Sequence, residues 1–213
     1  MTSAALRRAR AADAVIHIIG VAAAATGAPL LIVAAMARQG PLPVATAAVY
    51  GLALVMTLTL SGAYNLLADG SLKEKLRPCD HAAIFLLIAG TYTPFALVTI
   101  GGVRGWLLCA GVWLVAIAGA ALKFLHRRRY ERIFVVLYLA LGWAGVPALG
   151  ILMTALSTSA FVFLMAGGIL YTTGIAFHIR DEWPYSTAIW HAFVLLAAAC
   201  HYFAVLLALA PRG

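Results

Sequence analysis

The chain has 213 residues, of which 64% are hydrophobic and 10% are charged, and its formal net charge is +8. Soluble domains carry about 25% charged residues, so this composition excludes a soluble globular domain. The basic residues stand in short connections between apolar runs, and their excess therefore indicates membrane orientation and contact with anionic lipids, not nucleic-acid binding.

Seven apolar runs are each long enough to cross a bilayer, which takes roughly 20 residues of helix. We therefore predict an all-α, seven-transmembrane helix bundle that forms one domain over residues 1–213. Proline and glycine inside the spans, at Pro94, Pro147 and Gly167-Gly168, are expected to give mild kinks or close helix packing. The predicted spans, in chain order, are Ala14–Ala37, Val44–Leu67, Cys79–Ile100, Gly105–Leu125, Ile133–Met153, Ser159–Phe177 and Thr187–Ala208.

The distribution of basic residues predicts the orientation of the bundle. If the N-terminus is cytoplasmic, twelve of the 15 Lys and Arg residues fall in cytoplasmic segments, and only Arg38, Arg104 and Arg212 fall outside. Lys and Arg of short loops favour the cytoplasmic side. We therefore expect a multi-pass protein of the plasma membrane or inner membrane, with its C-terminus outside.

Polar side chains recur near the predicted cytoplasmic ends of five spans. Ionisable groups at membrane depth are costly, so they mark either a functional site or a paired structural contact. In chain order these residues are Asp13, His17, Ser61, Asn65, Asp80, His81, His178, Thr187 and His191. Asp13 and His17 are one helical turn apart and share a helix face with Gly20. Asp80 and His81 are expected to open span three. By contrast, His201 lies about 15 Å further along span seven, at ~1.5 Å per residue.

Two interpretations of this polar layer stay open. The side chains could hold a metal ion that activates water beside a carboxylate, or they could hydrogen-bond one another and fix the helix packing. Asp80 and His191 are the pair that we expect most to carry chemistry.

Four segments, distributed from the first span to the last, carry a family resemblance. They are residues 13–20 (DAVIHIIG), 61–65 (SGAYN), 80–95 (DHAAIFLLIAGTYTPF) and 189–194 (IWHAFV), and His201 follows the last of them. They resemble the motifs of the hemolysin III family, the bacterial branch of the progestin and adipoQ receptor proteins. The resemblance implies seven helices, a link to ceramidase-like lipid amide hydrolases, and zinc bound by three histidines, with a Ser and an Asp beside the metal-bound water.

This sequence departs from that pattern at the metal. The implied ligand positions are Asn65, Thr187 and His191, of which only His191 is a histidine, whereas the water-side positions Ser61 and Asp80 are kept. Neutral oxygen donors bind zinc weakly, so we expect weak zinc binding at these positions. A different ligand set, built with His17, His81 or His178, stays open.

Three functions follow as hypotheses. The first is a hemolysin III-like membrane protein with weak or no catalysis, which acts in membrane homeostasis or lipid sensing and contacts membrane lipids or a lipid-like small molecule. The second is a zinc-dependent, ceramidase-like lipid hydrolase at the inner leaflet, with Ser61 and Asp80 as catalytic residues. The third is a pore-forming cytolysin, which ranks last because the sequence has no ring of charges or filter motif.

Overall fold

The computed structural model describes residues 3–125, 130–180 and 182–210, and these residues are almost all helical and contain no strand. The helices are α1 (Ser3–Met36), α2 (Pro41–Leu66), α3 (Ser71–Pro94), which continues as a π-helical segment (Phe95–Ile100), α4 (Gly102–Leu125), α5 (Glu131–Gly142), a 3-10 turn (Val146–Ala148), α6 (Leu149–Ala155), α7 (Thr158–His178) and α8 (Ser186–Leu209).

Within the described residues, seven helical segments are long and apolar enough to cross a membrane, as predicted. Helices α1 to α4 are spans one to four, α5 and α6 together form span five, and α7 and α8 are spans six and seven. The all-α, seven-span architecture is thus confirmed, whereas the side on which each terminus lies remains a prediction. His126, Arg127–Arg129 and Arg212 lie outside the described residues.

Small residues allow the helices to approach closely. A methyl group added at Gly51 would lie 2.9 Å from the Cβ atom of Ala28, and one added at Gly90 would lie 2.8 Å from that of Ala53. Large apolar side chains such as Leu52 and Leu114 face outward instead. Small residues between the helices and large apolar residues on the outside are expected in a bilayer, because lipid tails solvate leucine and close backbone packing drives helix association.

Two helices begin earlier than the sequence predicted. Helix α1 starts at Ser3 instead of Ala14, and α3 starts at Ser71 instead of Cys79. The predicted starts followed the apolar runs, but a transmembrane helix can continue through polar residues beyond the hydrocarbon core of the membrane. Asp80 and His81 therefore do not open span three, as predicted, but lie in its third turn.

Span five is broken, so the prediction of one continuous helix with a mild kink at Pro147 was wrong. Helix α5 ends at Gly142, and the chain resumes helical geometry only after a turn and a 3-10 segment that contains Pro147. Proline has no N–H and clashes with the carbonyl four residues earlier. The Tyr92 hydroxyl bonds to backbone groups on both sides of the break. It donates to the Gly142 carbonyl at 2.8 Å and accepts from the Gly145 N–H at 2.7 Å, so these groups are not left without partners.

Candidate functional site

A cavity of about 330 Å³ lies among α2, α3, α7 and α8 and collects most of the predicted polar layer. Seven of the nine predicted site residues line it: Ser61, Asn65, Asp80, His81, His178, Thr187 and His191. The other two, Asp13 and His17, belong to α1 and contact His191. The structure therefore brings together the side chains that the sequence placed at one depth.

Helix α2 contributes two residues that interact with each other. The side-chain amide of Asn65 donates to the backbone carbonyl of Ser61 at 2.9 Å and lies 3.4 Å from the Ser61 hydroxyl oxygen. The residues are one helical turn apart, so they share a face. The amide nitrogen of Asn65 is thus used within its own helix, and only its carbonyl oxygen is left to serve a ligand.

Helix α3 contributes the carboxylate of the cavity. Asp80 is buried, interacts with the hydroxyl of Ser61, and lies within electrostatic reach of His191 and Lys123. Its neighbour His81 is only partly buried, and its Nδ1 atom lies 2.7 Å from the Arg77 carbonyl oxygen. Asp80 is therefore the better placed of the two to act on a molecule in the cavity.

Helices α8 and α1 meet through a buried Asp–His contact. His191 Nδ1 lies 2.6 Å from Asp13 Oδ1, and both residues are less than 10% exposed. The carboxylate accepts from the Nδ1–H tautomer, which leaves the other ring nitrogen of His191 as an electron-pair donor. The sequence favoured Asp80 as the partner of His191, but the direct hydrogen bond is made to Asp13.

His17 completes this buried group. Its ring centroid lies 4.4 Å from that of His191, and its Nε2 atom lies 3.7 Å from Asp13 Oδ2 but has no hydrogen-bond partner. Gly62 of α2 packs beside this residue, because a methyl group there would lie 3.5 Å from the His17 Cβ atom, an ordinary van der Waals distance. Asp13 and His17 are one turn apart on α1, as the sequence predicted.

The three ligand positions implied by the family resemblance do not suit zinc. Asn65 and Thr187 offer only neutral oxygen atoms, and the Asn65 amide is already engaged with Ser61. The buried group Asp13, His17 and His191 suits a metal better, because one ligand atom from each residue lies within 4.8 Å of the others. Two imidazoles and a carboxylate form a donor set that zinc uses in proteins.

Two apolar cavities adjoin the polar one. The first, of about 120 Å³, shares Ile84, Leu87 and Trp190 among its lining residues with the polar cavity. The second, of about 90 Å³, shares Tyr92 and Gly168, among others, with the first and reaches the break in span five. Apolar space thus lies directly beside the polar cavity along α3 and α7, with shared side chains lining both.

The two remaining predicted histidines differ in their surroundings. His178 is exposed at the end of α7, and its ring centroid lies 4.9 Å from that of Trp190. His201, which the sequence placed away from the polar layer, has its Nε2 atom 3.2 Å from the Leu164 carbonyl oxygen and lines both apolar cavities.

Sequence reasoning missed a charged cluster beside the cavity. The ammonium group of Lys123 is buried and lies 2.6 Å from Glu131 Oε2, while Arg77 Nη2 lies 3.2 Å from Glu131 Oε1. Glu131 thereby ties span five to α3 and α4. The only sequence signal is an acidic residue within the strongly basic segment that follows span four, and Lys123 is one of the twelve basic residues predicted to lie in cytoplasmic segments.

These observations define a seven-helix membrane protein with a buried polar site between its helices. Residues 10–202 match the family model described as haemolysin-III related. The chain is 35% identical over 202 residues to hemolysin-3 of Bacillus cereus, and 34% identical over 195 residues to the hemolysin-3 homolog of Bacillus subtilis strain 168. The first alignment covers 95% of this chain and 92% of the relative, and the second covers 92% of each.

A more distant similarity links the chain to an animal protein. It is 30% identical over 168 residues to the human monocyte to macrophage differentiation factor, and the alignment covers 75% of this chain and 68% of that protein. The chain belongs to the haemolysin-III related family, and the family prediction is confirmed. With its seven apolar helices, it is a multi-pass protein of the bacterial plasma membrane, as expected.

Proposed function

We propose that this protein senses membrane lipids by binding a single-chain or amide-linked lipid, with the polar head in the 330 Å³ cavity and the acyl chain in the adjoining apolar cavities. The excess of basic residues in one set of connections supports placing the polar cavity at the cytoplasmic side. A headgroup with hydroxyl or amide groups suits the site, because Ser61, Asp80 and Thr187 offer both donors and acceptors to it.

The observation that carries the proposal is that polar and apolar cavities lie side by side and share lining residues. Ligand sites are usually concave and mostly apolar, with a few polar groups that fix orientation. Here the polar groups line one cavity, and Ile84, Leu87 and Trp190 line both that cavity and the adjoining apolar one. An amphiphile is the class of molecule whose two ends match these two environments.

Photolabelling with a fatty-acid amide that carries a diazirine near the chain terminus tests the proposal. We expect labels on peptides of α3, α5 and α7 and competition by the unlabelled amide. The Gly168→Phe variant places a ring in the apolar cavities and should reduce labelling at least fivefold, whereas Ile169→Phe faces outward and should not. Labelling that is equal in all three proteins would contradict the proposal, provided that each elutes as a single species in detergent.

A second function, lipid amide hydrolysis, is favoured by one observation. His191 is hydrogen-bonded to Asp13 and lines the same cavity as Ser61 and Asp80. An oriented imidazole next to a hydroxyl and a carboxylate is a typical arrangement for general base catalysis. We rank hydrolysis below sensing because the family's zinc-ligand positions Asn65 and Thr187 are poor ligands. Release of fatty acid from a ceramide that is lost on Asp80→Asn substitution would reverse this order.

Cytolysis is the function that the names of the Bacillus relatives suggest. The cavities lie between helices, and the sequence has no ring of charges or filter motif that would indicate a pore. We therefore expect no dye release from liposomes that contain the purified protein, and release that scales with protein concentration would support a pore.

A further inference from the structure

We infer that this chain binds a divalent transition metal, zinc before others, through Asp13, His17 and His191. This site lies at the contact between α1 and α8, not at the family-implied positions, with which it shares only His191. The inference goes beyond lipid sensing and does not rest on it. A protein that binds no lipid could still hold this ion.

The geometry of the three side chains supports a metal. Tetrahedral zinc with bonds of about 2.0 Å places neighbouring ligand atoms about 3.3 Å apart. Asp13 Oδ1 lies 2.6 Å from His191 Nδ1, Asp13 Oδ2 lies 3.7 Å from His17 Nε2, and one ligand atom from each of the three residues lies within 4.8 Å of the others. The three side chains therefore converge on one point. Zinc would replace the proton that His191 Nδ1 donates to Asp13, and the three side chains would turn towards the ion.

A second, independent observation is the unpartnered nitrogen of His17. Its Nε2 atom is fully enclosed and makes no hydrogen bond, although the residue is only 5% exposed. A buried ring nitrogen without a partner is unfavourable, because it gives up its hydrogen bond to water and gains none in the protein. A metal ion at this point would satisfy that nitrogen and would also neutralise the buried carboxylate of Asp13.

The donor chemistry separates this site from the family-implied one. Asp13, His17 and His191 offer one negative charge and two imidazoles, whereas Asn65 and Thr187 offer neutral oxygen. Three protein ligands leave a fourth position for water. Because His191 also borders the polar cavity, such an ion would lie next to the place where a ligand headgroup is expected.

Metal content of the full-length, tag-free protein in detergent tests the inference. Protein that is stripped with a chelator and reloaded with Zn²⁺ should contain about one zinc per chain by inductively coupled plasma mass spectrometry. Asp13→Asn and His17→Gln should each weaken zinc binding at least tenfold, whereas Asn65→Ala and Thr187→Ala should leave it unchanged. Asp69→Asn, a change at an exposed carboxylate, is the matched control for the loss of charge.

The opposite pattern would overturn the inference: no zinc in the wild-type protein, or zinc that is lost in Thr187→Ala and retained in Asp13→Asn. X-ray absorption of the zinc-loaded wild-type protein gives a test that does not depend on whether the variants fold. Two imidazole ligands and one carboxylate oxygen are expected there, and a shell with a single imidazole contradicts the site.

Discussion

Removing the acidic partner of a buried lysine should destabilise the protein strongly. In the Glu131→Gln variant, the ammonium group of Lys123, only 1% exposed, loses an ion pair of 2.6 Å. Loss of one partner of a buried ion pair costs about 3–5 kcal/mol, because the remaining charge stays buried. Two features reduce this cost: Glu131 is 36% exposed, so the ion pair is partly solvated, and Asp80 remains within electrostatic reach of Lys123. We therefore expect a loss of unfolding free energy at the lower end of this range, about 3 kcal/mol.

This loss can be measured as a change in melting temperature, followed by tryptophan fluorescence in detergent. For a chain of this size 1 kcal/mol corresponds to roughly 2–4 °C, so the melting temperature should fall by roughly 6–12 °C. The double variant Lys123→Met with Glu131→Gln removes both charges and should recover at least half of the loss.

The matched control is Asp69→Asn, which breaks the exposed pair Lys73–Asp69 at 3.1 Å and should cost less than about 1 kcal/mol. A decrease below 2 °C for Glu131→Gln, or a double variant less stable than the single one, would refute the reasoning about Lys123.

Three further predictions concern packing, the metal and topology. Gly105→Ala should destabilise the protein by about 1–3 kcal/mol, because the new methyl group overlaps the Ala96 carbonyl oxygen. Gly111→Ala on the same helix meets no atom within 4 Å and should stabilise the protein slightly. Thermal unfolding compares the two variants. Asn65→His combined with Thr187→His should create zinc binding that survives removal of the Asp13 carboxylate, as metal analysis would show, and no gain of zinc would contradict our account of the family-implied positions. Reporter fusions at the two termini should place the first residue in the cytoplasm and the last outside, and the reverse result would exclude our placement of the cavity.

The sequence was sufficient to predict the seven spans and the depth of the polar residues. Each span is an apolar run of bilayer length, and depth along a helix follows directly from residue number. For the same reason, the grouping of Ser61, Asp80 and His191 around one cavity could be anticipated from their positions near the same ends of their spans.

The partners of individual side chains could not be predicted, because they depend on how each helix is rotated about its axis. Asp13 and His191 are 178 residues apart, and nothing in either segment specifies that they face each other. Lys123 is a similar case: a lysine near the end of a span usually reaches the membrane surface, and only the packing of α5 shows that Glu131 covers it.

The break in span five was missed for a different reason. Proline is tolerated in membrane helices when neighbouring groups satisfy the freed backbone, so Pro147 alone does not tell a kink from a break. The deciding partner is Tyr92 on α3, which bonds to both sides of the turn and is remote in sequence.

The most direct test of the proposed lipid site is experimental density for the protein in lipid nanodiscs. We predict elongated density with its polar end among Ser61, Asp80 and His191 and its chain between α3, α5 and α7. Well-resolved cavities that contain only water, or coordinates in which those three side chains line separate spaces, would contradict the account.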